Sequence, residues 1–274
     1  MTDRYAVIGN PIAHSKSPQI HTMFAQQTGQ DISYEAILAP LDGFAATVER
    51  LRKENYRGCN VTVPFKFEAW KLSGEHTSRA IDADAANTLT FTDTGIHIDN
   101  TDGAGLVRDI ERNLGICLEG KRILLIGAGG AAHGILHPLL EAAKSSLVIY
   151  NRTLENALGL KKTVEQHPNF QLYSVKAVEF GKLDNSQFDL VIDATSAGLT
   201  NNEIPLPPGI FARGALAYDL MYGRETPFMK FARLQGAQVA DGLGMLVEQA
   251  AEAFYIWRGI RPETPPVIAA LRPR

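Results

Sequence analysis

Apolar and polar positions follow two rhythms along the chain. Short runs rich in Val, Ile, Leu and Tyr predict strands at 5–8, 32–38, 60–63, 123–126, 147–150, 190–194 and 215–220. Apolar residues recurring every three or four positions predict helices at 18–27, 43–53, 103–113, 131–143, 154–166, 227–235 and 245–258. Strands alternating with helices predict α/β layers with mainly parallel sheets. The runs 87–91 and 96–100 flank the turn Thr92-Asp93-Thr94-Gly95 and read as a hairpin. The first half is therefore expected to be mixed rather than purely parallel. Ser17 followed by Pro18 reads as an N-cap with proline at the first helical position.

Composition narrows the classes further. The 274 residues are 45% hydrophobic and 21% charged, ordinary for a globular protein. At about 150 residues per domain, two domains are expected. The formal net charge is −3 and Lys/Arg runs stay short, which argues against nucleic acid or a membrane surface as partner. Cys59 and Cys117 are the only cysteines, so neither a disulfide framework nor a zinc cluster is suggested and no metal is expected. No apolar run has the roughly 18 residues of a membrane span, and the N-terminal segment has no signal-peptide pattern. A cytoplasmic, reduced protein is the expectation.

Candidate chemistry is clearest at residues 122–134, RILLIGAGGAAHG. An apolar strand runs into a glycine-rich turn and then an apolar helix. Gly127 permits the tight turn, Gly129 lets main chain approach a pyrophosphate, and Ala132 is small enough for close helix–strand packing. The helix start then offers free N–H groups and a positive dipole end to phosphates. The strand predicted next ends in Tyr150-Asn151-Arg152-Thr153. No carboxylate stands where an NAD site places one against the ribose 2′-hydroxyl. Arg152 offers a planar donor fork and Thr153 a hydroxyl, which favours a 2′-phosphate and hence NADP. Thr153 is equally suited to cap the following helix.

Other constellations precede and follow this one. Ser15 and Ser17 stand just before a helix, where hydroxyls and helix N–H groups suit a carboxylate; the alternative for Ser17 alone is that it is only a cap. In Asn60-Val-Thr-Val-Pro-Phe-Lys66, alternation points Asn60, Thr62 and Pro64 one way and Val61 and Val63 into the core, with Lys66 at the strand's mouth. Asn100-Thr-Asp102-Gly leads a helix, and Asp102 read alone is an N-cap. Asp193-Ala-Thr195-Ser-Ala-Gly198 ends an apolar strand, where open α/β sheets bind ligands. Asp219-Leu-Met-Tyr222 and Asp241-Gly-Leu-Gly-Met-Leu-Val-Glu-Gln249 complete the set.

Taken together and in order, the motifs GNPIxHSxSP, NVTxPxK, NTDG, GAGGA, NRT, xATSxG and GxxMLxxQA, spanning Gly9 to Ala250, resemble the shikimate dehydrogenase family. The resemblance implies two α/β domains with a cleft between them. The first, residues 1–103 completed by helices within 243–274, would be a substrate domain with a mixed sheet. The second, 104–242, would be a Rossmann-type doubly wound NADP domain. Carried over motif by motif, the resemblance places catalysis on Lys66 and Asp102. It places substrate contacts on Ser15, Ser17, Asn60, Thr62, Lys66, Asn87, Asp102, Tyr222 and Gln249. Cofactor contacts fall on Gly127, Ala128, Gly129, Gly130, Ala131, Asn151, Arg152, Thr153, Thr195, Leu220, Gly242 and Met245. Ser78, Asp193, His133 and Ile98 depart from the commoner family pattern.

The implied reaction is reversible reduction of 3-dehydroshikimate to shikimate by NADPH, a step of aromatic amino-acid biosynthesis, by a monomer or homodimer. An ammonium at Lys66 would stabilise and protonate the carbonyl oxygen as charge develops there. Asp102 would orient it while accepting from a substrate hydroxyl. Two rivals stay open at this point: a quinate/shikimate dehydrogenase running oxidatively, and a nucleotide-sensing module without catalysis.

Overall fold

The computed structural model describes residues 2–195 and 203–272. The chain forms two compact units. One comprises Met1–Leu106 with Leu246–Leu271, the other Val107–Met245 with Arg272–Arg274.

The first unit carries a six-stranded mixed sheet of strands β1 (Asp3–Gly9), β2 (Ile32–Leu38), β3 (Tyr56–Val61), β4 (Glu75–His76), β5 (Thr88–Thr92) and β6 (Gly95–Asp99), in the order β2-β1-β3-β5-β6-β4. The strands β1, β2 and β3 run parallel, as the helices α1 (Ser17–Thr28) and α2 (Phe44–Lys53) between them require. The predicted hairpin is present: β5 pairs antiparallel with both β3 and β6. Its core gathers Ile8, Phe44, Leu51, Phe65, Leu89 and Ile98. Gly58 is required here, because a Cβ on it would stand 2.4 Å from the Leu89 carbonyl oxygen of the neighbouring strand.

Two expectations are corrected. The strand predicted at 60–63 begins earlier and ends at Val61, so its alternation does not reach Val63, which is 53% exposed rather than in the core. Ser17 is not a cap. It is the first residue of α1, and the capping position falls on Lys16 with no side-chain bond. The local bond instead runs from the Ser17 N–H to Ser15 Oγ, 3.2 Å. The short helices α3 (Lys66–Trp70) and α4 (Ser78–Ala83) were not predicted; neither is long enough for a helical repeat to show.

The second unit carries a six-stranded, all-parallel sheet. Its strands are β7 (Ile123–Ile126), β8 (Leu147–Asn151), β9 (Val175–Glu179), β10 (Phe188–Asp193), β11 (Phe211–Asp219) and β12 (Gln238–Ala240), ordered β12-β11-β10-β7-β8-β9. This is the doubly wound arrangement, with order reversing between β7 and β10. All four residues of β7 are buried, which explains why its sequence, Ile-Leu-Leu-Ile, is a continuous apolar run. Helices α6 (Gly130–Ala143), α7 (Leu154–Gln166) and α8 (Pro227–Leu234) supply the crossovers among the described residues. Two helices belong to both units: α5 (Asp102–Arg108), continued by a π-helical turn at Asp109–Asn113, and α9 (Leu243–Arg258). A last helix, α10 (Pro265–Leu271), closes the first unit.

Candidate active site

In the first unit, three segment ends converge. Lys66 opens α3, Asn87 immediately precedes β5, and Asp102 opens α5. The Lys66 ammonium donates to Asp102 Oδ2 at 2.5 Å, with the two side chains only 12% and 5% exposed. Burial to this degree makes the contact a sequestered ion pair, unlike exposed pairs such as Arg50–Glu54 and Lys144–Glu119. The other carboxylate oxygen, Asp102 Oδ1, accepts from Asn87 Nδ2 at 2.9 Å. The helix entry is handled by Asn100, whose Oδ1 accepts the Asp102 N–H at 3.0 Å. The carboxylate of Asp102 is thereby relieved of capping and left to Lys66 and Asn87.

Asn87 is the hub. Its Nδ2 lies within hydrogen-bonding distance of Thr101 Oγ1, Asp102 Oδ1 and Gln249 Oε1, and its Oδ1 accepts the Thr101 N–H at 2.8 Å. Asn60 Nδ2 donates to the Asn87 carbonyl at 3.1 Å and to Thr88 Oγ1 at 3.0 Å. The fold thus brings together Lys66, Asp102, Asn87, Asn60 and Gln249 from five separate segments. Ser15 and Ser17 form a pair with each other, Ser17 buried and Ser15 half-buried. Thr62 turns its methyl toward Gly9, where an added Cβ would meet it at 2.6 Å. Thr88 and Tyr34, which take part in the same array, carried no distinguishing pattern in the sequence, and Thr101, though inside the NTDG motif, carried no expected role.

In the second unit, the switch point of the sheet is occupied by the glycine turn. Gly127, buried and at φ +106°, lies where a Cβ would come within 3.1 Å of both the Ala194 carbonyl oxygen and Thr195 Cγ2. Only glycine accommodates both the backbone and the space. Gly129 is the opposite case. It is exposed, has ordinary φ, and a Cβ there would meet nothing within 4 Å. It sits at the capping position of α6 with no side-chain cap, so the first N–H groups of the helix, at Gly130 and Ala131, have no side-chain acceptor from the cap and suit an anion. At the end of β8, Asn151 Nδ2 donates to the Thr153 carbonyl at 2.8 Å. Arg152 and Thr153 are exposed, and Thr153 stands at the capping position of α7 without making a side-chain cap. Its hydroxyl is not committed to the helix, contrary to the capping alternative.

Beyond β10 and β11, Thr195 is held by Asp193, whose Oδ1 accepts its N–H at 2.9 Å and its hydroxyl at 2.7 Å. Asp193 pairs in register with Asp219 on the adjacent strand. Burial, reinforced by the Asp219 charge, pushes the Asp193 carboxyl up to about 7. Burial raises Asp219 as well, although Thr226 and the Met221 N–H both donate to it. Gly242 approaches Leu220 so closely that a Cβ would stand 2.2 Å from the Leu220 carbonyl oxygen. The Met245 N–H donates to the Tyr218 hydroxyl, which donates to buried Asp109 at 2.6 Å. Tyr222 is half-buried in this unit. Ser196, Ala197 and Gly198 of the Asp193–Gly198 motif lie outside the described residues. Among the described residues no His/Cys/Asp/Glu group could hold a metal, and no helix is long and apolar enough to cross a membrane.

The turn fits a dinucleotide on its own geometry: uncapped helix amides, an open glycine at the helix mouth, and no acid among Asn151, Arg152 and Thr153. Comparison with known proteins agrees. Residues 7–89 match the shikimate dehydrogenase substrate binding domain, 109–201 match shikimate / quinate 5-dehydrogenase, and 242–272 match the shikimate 5′-dehydrogenase C-terminal domain. The shikimate dehydrogenase (NADP(+)) of Methylobacillus flagellatus is 62% identical over 271 residues, covering 98% of this chain and 99% of that one. The crystal structure of an Ael1 enzyme from Pseudomonas putida superposes with a TM-score of 0.91 at 48% identity, covering 100% of this chain and 99% of that one. The shikimate 5-dehydrogenase of Thermus thermophilus, crystallised with NADP(H) and shikimate, gives a TM-score of 0.84 at 30% identity over 98% of each chain. With a buried Lys66–Asp102 pair in one unit, a dinucleotide turn in the other, and relatives of this similarity along its whole length, the chain belongs to the shikimate dehydrogenase family.

Proposed function

We propose that this chain catalyses the reversible NADPH-dependent reduction of 3-dehydroshikimate to shikimate, a step of aromatic amino-acid biosynthesis carried out in the cytoplasm. Residues 1–103, completed from 243–274, form the substrate domain, and 104–242 the NADP domain. The observation that carries the reading is the sequestered Lys66–Asp102 pair.

Bound NADPH supplies the hydride. As the carbonyl carbon accepts it, negative charge develops on the carbonyl oxygen. The Lys66 ammonium stabilises that charge and delivers the proton; in the oxidative direction Lys66 Nζ takes it back. Asp102 keeps Nζ in place through Oδ2 while Asn87 fixes Oδ1. The carboxylate then cannot rotate away between turnovers, which is how positioned groups contribute most. Ser15 and Ser17 hold the substrate carboxylate, with Asn60, Thr62, Asn87, Tyr222 and Gln249 around the ring hydroxyls. The main chain at Gly127–Ala131 receives the pyrophosphate. Arg152, with Asn151 and Thr153, takes the 2′-phosphate through charge-assisted bonds. Thr195, Leu220, Gly242 and Met245 line the remainder of the cofactor path. A sensor without catalysis would have no use for a buried acid/base pair, and burying one is costly.

A kinetic panel of shikimate and quinate, each with NADP and NAD, tests the assignment. Shikimate with NADP should give the highest kcat/KM. A higher kcat/KM with quinate, or with NAD, would replace the assignment by an oxidative quinate-type activity.

A further inference from the structure

Tyr34 lies on β2 at the edge of the first sheet, outside every sequence motif that points to chemistry. Its ring is stacked on His21 at 4.0 Å with an interplanar angle of 5°. His21 is fully buried, and burial lowers it to about 3. It is therefore a neutral, flat support across the physiological range, and it is itself braced by Phe24, Phe254 and Trp257. The phenol meets Asn60 Oδ1 at 2.8 Å and also reaches the Ser17 side chain.

The sense of every hydrogen bond beyond that point is forced. Asn60 Nδ2 faces the Asn87 carbonyl, which can only accept, so Asn60 presents Oδ1 to Tyr34 and the phenol must donate. Asn87 Oδ1 faces the Thr101 N–H, which can only donate, so Asn87 presents Nδ2 to Asp102. Thr88 accepts from Asn60 Nδ2 at 3.0 Å and must then donate to Asn87 Oδ1, 2.8 Å away. The hydrogens run from Tyr34 to Asn60, Thr88, Asn87 and the Asp102 carboxylate in a single sense, ending on the partner of Lys66. Bonds aligned this way in a buried setting polarise one another. Two of the links are side-chain amides, which do not pass protons on, so the array orients groups and does not conduct.

We propose that Tyr34 is a positioning residue for the reaction: its hydroxyl fixes Asn60 and, through Thr88 and Asn87, the Asp102 carboxylate that holds Lys66. This rests on the assignment of Lys66 and Asp102 above. Phenylalanine would stack on His21 equally well, so what the tyrosine adds is its polar contacts, to Asn60 and to Ser17.

The test is Tyr34→Phe, which keeps the stack and removes one hydroxyl. Turnover of shikimate by the unaltered protein reports on the assigned function; the variant reports on Tyr34. Its kcat/KM for shikimate should fall about five- to tenfold, the size of one net hydrogen bond. Its affinity for NADPH should stay within about twofold, because the array lies in the first unit. In a double-mutant cycle with Thr88→Val, losses that multiply would mean separate roles. A combined loss well below the product is the expected sign of one array. Side-chain amide exchange in the ligand-free protein adds a readout that needs no substrate: the Asn87 amide protons should exchange faster in Tyr34→Phe. Unchanged Asn87 exchange, or unchanged shikimate kinetics with only a lowered Tm, would overturn the proposal.

Discussion

Around Asp102 almost every polar contact runs from one side chain to another, whereas around Gly127 the geometry is made by main chain. Asn60, Asn87, Thr88, Thr101 and Gln249 satisfy one another in a buried array. Gly127, Gly129 and Gly242 contribute no side chain at all; a Cβ cannot fit at Gly242, and Gly127 holds a positive φ that side chains rarely adopt. The difference follows from what each part must recognise. A ring carrying several hydroxyls demands donors and acceptors in fixed directions, which only side chains on separate elements can supply. A pyrophosphate demands close approach and N–H groups, which bare backbone at a helix start supplies best. The first region should accordingly fail through loss of single polar atoms, the second through gain of a single methyl.

The largest expected effect is in the first region. Lys66→Ala should lower kcat by about 10²–10⁴-fold, with a smaller change in the shikimate KM. The double variant with Asp102→Ala should be little worse, because the two act as a unit. Next comes a contrast in the second region. Arg152→Ala should raise the NADP KM about ten- to a hundredfold, the loss of a charge-assisted bond, and leave NAD nearly unaffected; equal losses with both cofactors would remove Arg152 from the 2′-phosphate site. Gly129→Ala meets no neighbour and should keep its Tm while NADPH binding weakens by about tenfold or more. Unaltered NADPH affinity would show that main chain at Gly129 is not approached. Ser15→Ala should raise the shikimate KM about fivefold or more, with a small fall in Tm from the lost Ser17 N–H contact. A fall in Tm alone would make Ser15 structural.

The remaining effects are on stability, and they have opposite signs in the two units. His21 is lowered to about 3. Its contribution is present above the unfolded value near 6.5 and is lost as pH falls toward 3. Asp193 is raised to about 7. Its proton is retained by the folded state above the unfolded value of 3.8, so its contribution is present at low pH and is lost as pH rises toward 7. Each slope reaches at most about 1.4 kcal/mol per pH unit. Between pH 4 and 6.5 they oppose. Denaturant titrations across that window should show Asp193→Asn losing stability toward acid more steeply than the unaltered protein, and His21→Phe less steeply. Parallel slopes in all three would contradict both assignments.

Sequence patterning captured the layers, the hairpin and the glycine turn because each has a strong local signature: buried β7 is all apolar, and the 122–134 segment joins strand, turn and helix without interruption. Strands β4, β9 and β12 and helices α3 and α4 escaped because edge strands are short or mixed in polarity and one or two helical turns show no period. Lys66 alone is indistinguishable from a surface lysine; only its motif and its family resemblance single it out. Asp102 read alone is a cap, and it is released from that role by Asn100, which no spacing rule foresees. Ser17 is not the cap that the Ser-Pro pattern implied, because the chain enters α1 one residue earlier than proline suggests. Tyr34 lay outside reach altogether. Its meaning comes from contacts 26 residues away along the chain, and long-range pairing leaves no local trace.

The most direct test is a single-turnover experiment in which enzyme carrying NADPH is mixed with 3-dehydroshikimate and the NADPH absorbance is followed, for the unaltered protein and for Lys66→Ala. The account predicts loss of one NADPH per site with formation of shikimate in the first case. In the second it predicts the same NADPH affinity but a rate about 10²–10⁴-fold slower. A Lys66→Ala rate near that of the unaltered protein, or an unaltered protein that binds NADPH yet leaves 3-dehydroshikimate unreduced, would contradict it.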